Sequence, residues 1–473
     1  MDSNIVISGG GLSSLMTAKL LLKRIPSAQI HLIEKENEVG GQFGSVNYGD
    51  KQIFDYGMHI YYESSISEID QLFQEILTIK EWNILEGNLK DAAGLFYNNK
   101  LQTLTPYIDL RNFSEEKKNE YLCEFFKNLE LTKGIKEPEN GSAFEILKHR
   151  FGEKICNEIF SPIFKKLYQT NAENLDGIAT RLTTINRLAL FSEELMFDLI
   201  KSDIIRERIC FPNQYSMPNY RSTNQRGFYP KKFGMFAVLE KLKLDLESNG
   251  VKFHLSTLIS DIEIQRNRIK SICLTNNTKL ENIDSLLWTS GLPSLSNLLK
   301  INVSDLIYDK QKNKSYYVYF TFNKNPVMDK LYYFYCFDEG FRTFRVTNYY
   351  NYCPDAASRG GYPICVEIWN KEEDSTDLDV ICNKTLIELQ KFGIINSEYK
   401  VLFSKTEPVL GAGFPLPSCN NINAINSIRE RIIKENVLNL IPMGVYSSQN
   451  VFFIKDVLTD SLNKINSFYK KSI

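Results

Sequence analysis

Residues 4–8, Asn-Ile-Val-Ile-Ser, form a short β-branched run, the composition of a strand buried on both faces. Gly9, Gly10 and Gly11 follow at once. Leu12, Leu15, Met16, Leu20 and Leu21 then fall on one face of a helix. A second strand, Gln29–Ile33, ends at Glu34. Residues 100–220 lose this alternation and read as mostly helical, with amphipathic stretches over 115–131 and 143–160. Within them Gly152 reads as a helix C-cap and Pro162 as the next boundary. A helix over 236–247, closed by Gly250, leads to a strand over 251–255. Ile262, Ile264, Ile269 and Ile272 alternate within a small hairpin over 260–287. Residues 315–369 are strand-rich and aromatic. The C-terminal part reads as a proline-rich stretch (Gly413 to Pro417), a helix over 421–434, a strand over 437–441, a glycine turn at Gly444 and a helix that begins near Asp456.

Composition narrows the function classes. The chain has 473 residues, 43% hydrophobic and 24% charged, with 56 Lys+Arg against 57 Asp+Glu. That balance fits a globular protein and excludes a disordered chain or a basic nucleic-acid module. Arginine and tyrosine interleave near residue 345, as in single-strand binders, but the near-zero net charge argues against nucleic acid. Mean hydropathy is −0.26, and no apolar run approaches the ~18 residues of a transmembrane helix. No basic region precedes Ile5-Val6-Ile7, so no secretory signal is expected. The nine cysteines are scattered without a CxxC pair, which predicts reduced thiols and a cytoplasmic protein. None of the four histidines sits one helical turn from another, so no metal site is expected.

Strand, glycine turn, helix, strand and acid together make a dinucleotide-binding pattern. Gly9 allows the tight turn, and Gly11 lets the backbone approach a pyrophosphate at the helix N-terminus. Ser14 stands where a third glycine usually sits and is still small enough for close helix–strand packing. Glu34 comes 23 residues after Gly11, the spacing of a ribose-binding acid. Gly9, Gly11, Leu12, Ser13, Ser14, Glu34 and Lys35 are therefore candidate cofactor-binding residues.

The next segments discriminate between cofactors. A second glycine pair, Gly40-Gly41, precedes Gln42, and Phe54-Asp55-Tyr56-Gly57-Met58-His59-Ile60-Tyr61-Tyr62 follows. This stretch resembles the FAD-dependent amine oxidase and protoporphyrinogen oxidase superfamily. Its YGMHIYY portion is most similar to UDP-galactopyranose mutase-like flavoproteins of glycan and polysaccharide synthesis. The resemblance implies FAD, with Gly41 and Gln42 near its pyrophosphate and Gly57, Met58 and His59 against the isoalloxazine ring. It also implies that Leu258 lies near the adenine, that Thr289 passes the diphosphate a second time, and that Gly444, Asp456 and Val457 give the last flavin contact. The segments 142–168 and Gly227 to Met235 resemble family stretches in the same chain order. One departure stands out: the mutases usually carry an arginine just after the last glycine, and this chain has Val445.

For the substrate side, Arg342 and Arg345 lie three apart on a strand, so they should point to opposite faces. Arg345 matches the family arginine that grips a diphosphate, and a guanidinium fork suits that dianion. His59, Arg345 and Tyr349 are the candidate catalytic residues, with Tyr61 and Tyr62 as further acid–base candidates. The implied fold is α/β: a discontinuous Rossmann-like FAD-binding domain (1–99, 221–300 and 405–473), a helical cap (100–220) and an antiparallel substrate-binding sheet (301–404). The implied activity is an FAD-dependent oxidoreductase moving hydride between flavin N5 and a sugar or nucleotide sugar, with NAD(P)H or O2 as electron partner. A redox-neutral sugar mutase using reduced FAD is the alternative, and a flavin-binding protein without catalysis the third reading.

Overall fold

The computed structural model describes residues 3–49, 52–218, 224–310, 314–371, 374–409 and 416–469. Gly413, Phe414 and Pro415 of the proline-rich stretch lie outside them.

The first strand, Asn4–Ser8, forms because Ile5, Val6 and Ile7 have no exposed surface on either side. It is the centre of a five-stranded parallel sheet. The order is Lys252–His254, Gln29–Ile33, Asn4–Ser8, Ser285–Trp288, Leu440–Pro442. The strands come from three well-separated stretches, so the chain leaves this sheet and returns to it twice. The helix Leu12–Arg24 covers one face, burying Leu15, Ala18 and Leu21. The helices Phe236–Ser248 and Ile454–Tyr469 pack beside it. The 260–287 stretch is larger than a hairpin. Ile259–Gln265, Arg268–Leu274 and Lys279–Glu281 make a three-stranded sheet, and Ser285–Trp288 joins the parallel sheet.

A seven-stranded sheet forms the second layer. Its order is Val401–Pro408, Lys314–Phe322, Tyr362–Asn370, Thr343–Asn348, Tyr333–Cys336, Ala93–Tyr97, Lys100–Gln102. It is mixed rather than wholly antiparallel, because Tyr333–Cys336 pairs with Ala93–Tyr97 in parallel. Residues 93–102, expected in the nucleotide-binding part and the cap, supply two of its strands. Asn98 and Asn99 both take left-handed conformations (φ 53° and 56°), the tight turn that joins twisted antiparallel strands. The carboxylate of Asp338 accepts both their N–H groups. Alternation sorts the sheet's two faces. Val318, Phe320, Phe334, Val346, Ile364 and Val366 pack with Ile381 and Leu389 of the helix Leu378–Lys391. Tyr317, Tyr333, Tyr335, Arg345, Glu367 and Trp369 share the opposite face.

The cap is helical around Glu115–Leu131 and Ala143–Phe151. The helix Ala143–Phe151 ends at Gly152, the expected C-cap (φ 93°), where an added Cβ would strike Glu124. The chain resumes through Glu153–Ile155, a π-helical turn Cys156–Phe160 and the helix Ser161–Tyr168. Pro162 sits in the first turn of that last helix, where its missing N–H costs nothing. Among the described residues no helix is long and apolar enough to cross a membrane, and no cluster of His, Cys, Asp and Glu could hold a metal ion.

Candidate functional site

Two glycine turns are laced together at the start of the helix Leu12–Arg24. Gly40 N–H donates to the Gly10 carbonyl at 2.8 Å, and Gly11 bridges Gly40 as in a parallel ladder. Gln42 lies in the short helical turn Gly41–Phe43 that follows. Gly11 caps the helix with no side-chain acceptor, and the first turn carries no acid. A Cβ added at Gly11 would meet no protein atom within 4 Å. The cradle therefore presents a helix N-terminus, with no acid in its first turn, to open space beside a bare Cα. Leu12 and Ser14 are buried behind it and Ser13 is half-buried. That donor set fits the pyrophosphate of a dinucleotide such as FAD.

Glu34 stands over the turn, its carboxylate accepting from the N–H groups of Gly10 and Glu36. Lys35 is exposed and pairs with Glu36 at 3.2 Å. Leu258 N–H donates to Thr275 Oγ1 and its carbonyl accepts from Thr275 N–H, so both backbone groups proposed for the adenine already have partners. Three distant segments converge behind the cradle. Thr289 Oγ1 donates to the Ser8 carbonyl and meets Ser14 Oγ at 2.7 Å. A Cβ on Gly9 would lie 2.4 Å from Thr289 Oγ1, and one on Gly444 would lie 3.1 Å from the Thr289 carbonyl oxygen. The helix Ile454–Tyr469 starts nearby, with Asp456 accepting from Phe453 N–H and Val457 buried.

Val445 leaves the glycine turn without its expected arginine. Sequence reasoning missed Arg429, which comes from the helix Cys419–Lys434 and donates twice to the Tyr446 carbonyl. A guanidinium thus reaches this turn from another element, through a contact no local motif encodes.

The turn at Gly57 is built from a buried anchor. Asp55 has no exposed surface, and its carboxylate accepts from Ser45 Oγ, Tyr229 OH and Met235 N–H. Burial without a cation raises it to about 6. Its carbonyl accepts from Tyr349 OH at 2.5 Å, so Tyr349 is held in the core as a strut of this turn. Gly57 has φ 82°, and a Cβ there would lie 3.0 Å from both Arg345 Nη2 and Glu367 Oε2. Met58 is half-buried beside it. His59 rests on Phe43 and donates from Nε2 to the Tyr56 carbonyl at 2.7 Å. Burial first, then the Arg345 charge, lowers it to about 4, so it is neutral near pH 7 with Nδ1 left as an acceptor.

Arg345 makes a bidentate pair with Glu367 and lies over the rings of Tyr333 and Tyr335. Arg342 turns instead to Asp374 at 2.8 Å. The sheet face that carries Arg345 meets the Gly57 turn directly, with Tyr317 against Tyr56. Tyr61 donates to Asp70, whereas the buried Tyr62 hydroxyl faces Asp91. Asp91 lies beside Tyr62 and was not apparent in the sequence. Its only local signal is a charge placed directly before an apolar strand.

Comparisons with known proteins agree with this geometry. A family of NAD(P)-binding Rossmann-like domains matches residues 7–76. No curated protein matches the chain by sequence. A solved structure of reduced UDP-galactopyranose mutase is similar with a TM-score of 0.75 at 15% identity, covering 99% of this chain and 96% of that one. A candidate protoporphyrinogen oxidase from Exiguobacterium sp. 255-15 gives 0.67 at 16% identity, covering 100% and 99%. A CLA-producing fatty acid isomerase from P. acnes gives 0.59 at 14%, covering 99% of each chain. The chain thus has the fold of the superfamily that its first 62 residues resemble.

Proposed function

We propose that this protein is an FAD-dependent oxidoreductase acting on a polar, sugar-like small molecule. The observation that carries the reading is the convergence just described. One open glycine cradle touches the tightly anchored Gly57 turn through Phe43 against His59, and a sheet face rich in tyrosine meets that turn. Gly11, Leu12, Ser13, Gly41 and Gln42 would hold the pyrophosphate, and Glu34 the ribose. Gly57, Met58 and His59 would lie against the flavin ring. The flavin would supply the two-electron chemistry, and the protein the binding, orientation and electrostatics.

His59, neutral and fixed by Tyr56, would present Nδ1 without adding charge near the ring. Arg345 uses two of its nitrogens on Glu367, so its Nη1 side is what it would offer to the anionic end of a substrate. The domain reading follows the sheets: the parallel sheet with its helices as the FAD-binding part, and the seven-stranded sheet with residues 93–102 as the substrate-binding part. We assign the protein no location beyond the expectation of a cytoplasmic one.

A redox-neutral sugar mutase is the second reading, favoured by the likeness to UDP-galactopyranose mutase. Mixing oxidised protein with hexoses and UDP-hexoses without oxygen separates the two. Bleaching of the flavin supports the oxidoreductase. Conversion that appears only after dithionite, with no net electron transfer, supports the mutase and overturns the first reading.

A further inference from the structure

Two cations stand behind the turn that leads from the strand Leu440–Pro442 toward the helix Ile454–Tyr469. Arg429, from the helix Cys419–Lys434, donates from Nε and Nη2 to the Tyr446 carbonyl at 3.1 and 2.8 Å. Lys464, from the helix Ile454–Tyr469, donates to the Pro442 carbonyl at 2.8 Å and to Ser447 Oγ at 3.1 Å. One carboxylate answers them: Asp460 pairs with Lys464 at 2.7 Å and accepts from Ser447 Oγ and Ser448 Oγ. The acids that act on Arg429, Glu430 and Asp460, do so through charge and not through a hydrogen bond, and Glu430 is exposed. Arg429, Lys464 and Asp460 are all half-buried, so the inner side of the turn holds two positive charges against one negative. Burial pulls both cations below their ordinary pKa, the mark of charges that water screens poorly.

This turn leans on the glycine cradle. Gly444 has φ 88° and lies against the Thr289 backbone, and Thr289 Oγ1 meets Ser14 Oγ behind the cradle. Hydrogen bonds fix the rest of the turn: Met443 N–H donates to the Trp288 carbonyl, Tyr446 N–H to Val451 and Ser447 N–H to Gly444. The Gly444 and Val445 N–H groups have no acceptor among the described residues. A flavin that takes up two electrons and one proton gains one negative charge. A fixed positive charge favours that form over the uncharged oxidised ring, and burial limits the screening that would weaken it.

We propose that Arg429, with Lys464 and against Asp460, sets the reduction potential of the bound flavin by holding a net positive charge behind the 442–448 turn. The proposal rests on the flavin reading above and adds to it which of this chain's side chains tune the cofactor. Arg429 acts through the turn to which it is bonded, as a positioning residue.

The test measures the midpoint potential of the FAD-loaded protein against a reference dye, with dithionite as the reductant. Arg429→Gln removes one cation and is expected to weaken the preference for reduced over oxidised FAD about tenfold, a fall of about 30 mV for a two-electron couple. Arg429→Lys keeps the charge and should leave the potential near the wild-type value. Asp460→Asn removes the opposing charge and should raise the potential by about the same 30 mV, even though it also loses an ion pair. Opposite signs mark a field, because loss of structural bonds alone gives no such reversal. Potentials that stay unchanged in Arg429→Gln and Asp460→Asn, or move in the same direction, overturn the proposal. The wild type gives an independent check should either variant fail to fold. With one proton per two electrons, its potential should fall by about 30 mV per pH unit below neutrality, where free reduced flavin takes up a second proton. A slope of twice that size overturns the proposal. A protein that takes up no FAD overturns the flavin reading itself, before any potential is measured.

Discussion

Asp55 and His59 lie four residues apart and respond to pH in opposite senses. Asp55 is raised from 3.8 to about 6, so the folded protein binds more protons than the unfolded chain between those values. Its contribution therefore falls as pH rises through that window, by about 3 kcal/mol at 1.36 kcal/mol per unit. His59 is lowered from 6.5 to about 4, so stability rises with pH over nearly the same range. His31, packed against His254 and also lowered to about 4, adds to that rise. Asp55→Asn should therefore steepen the gain in stability between pH 4 and 6, and His59→Ala should flatten it. Urea midpoints measured at each pH check both signs. At neutral pH His59→Ala should also alter the spectrum of bound flavin, whereas an unchanged spectrum removes it from the ring.

Arg345 is the other residue whose role has a stability signature. Arg345→Ala leaves Glu367 buried and unpaired beside Gly57, and is expected to cost about 3 kcal/mol. Pairing it with Glu367→Gln should recover most of that loss, because the orphaned charge is gone. Urea unfolding of the single and double variants decides this. His59 and Arg345 stand out as candidates in the sequence because each sits in a local motif. Glu367, Asp91 and Arg429 do not. Their importance comes from contacts with residues 22, 29 and 17 positions away, and such pairings have no sequence period.

At the scale of elements, the opening strand, turn and helix are almost wholly local, and they read correctly from the pattern. The glycine turn makes a sharp distinction testable. Gly9 has φ 104° and no room for a Cβ, so Gly9→Ala should unfold or strongly destabilise the protein. Gly11 has an ordinary φ of −70° and open space, so Gly11→Ala should keep the melting temperature of the FAD-free protein. Its Cβ would still project toward the expected pyrophosphate, so FAD affinity should drop at least tenfold. Equal FAD binding by Gly11→Ala and wild type, read by fluorescence quenching, contradicts the placement of the cofactor. Elements set by distant partners were harder to read. Residues 93–102 read as the end of the nucleotide-binding part and the start of the cap, but their strand edge is completed by Tyr333–Cys336, some 240 positions later. The helix end at Gly152, by contrast, carries a local signal, a glycine whose positive φ closes Ala143–Phe151.

At the scale of the molecule, net charge and length now have physical accounts. The net charge is −1. Anionic ligands would be met locally, by a helix N-terminus and by guanidinium groups already paired with carboxylates or carbonyls, so no global positive field would be needed. The 473 residues form interleaved layers rather than three beads in a row. Because the parallel sheet draws strands from three stretches of chain, a ligand bound across the Gly9, Thr289 and Gly444 junction would tie all three together. Saturation with FAD at 100 times its Kd should stabilise the protein by about 2.7 kcal/mol and raise the melting temperature.

The central claim is that the glycine cradle and the Gly57 turn hold one flavin. Its most direct measurement is the absorbance spectrum of the purified protein, before and after incubation with FAD and removal of the excess. A yellow protein carrying one FAD per chain is the predicted result. A protein that remains colourless after incubation, with an unchanged melting temperature, contradicts the account.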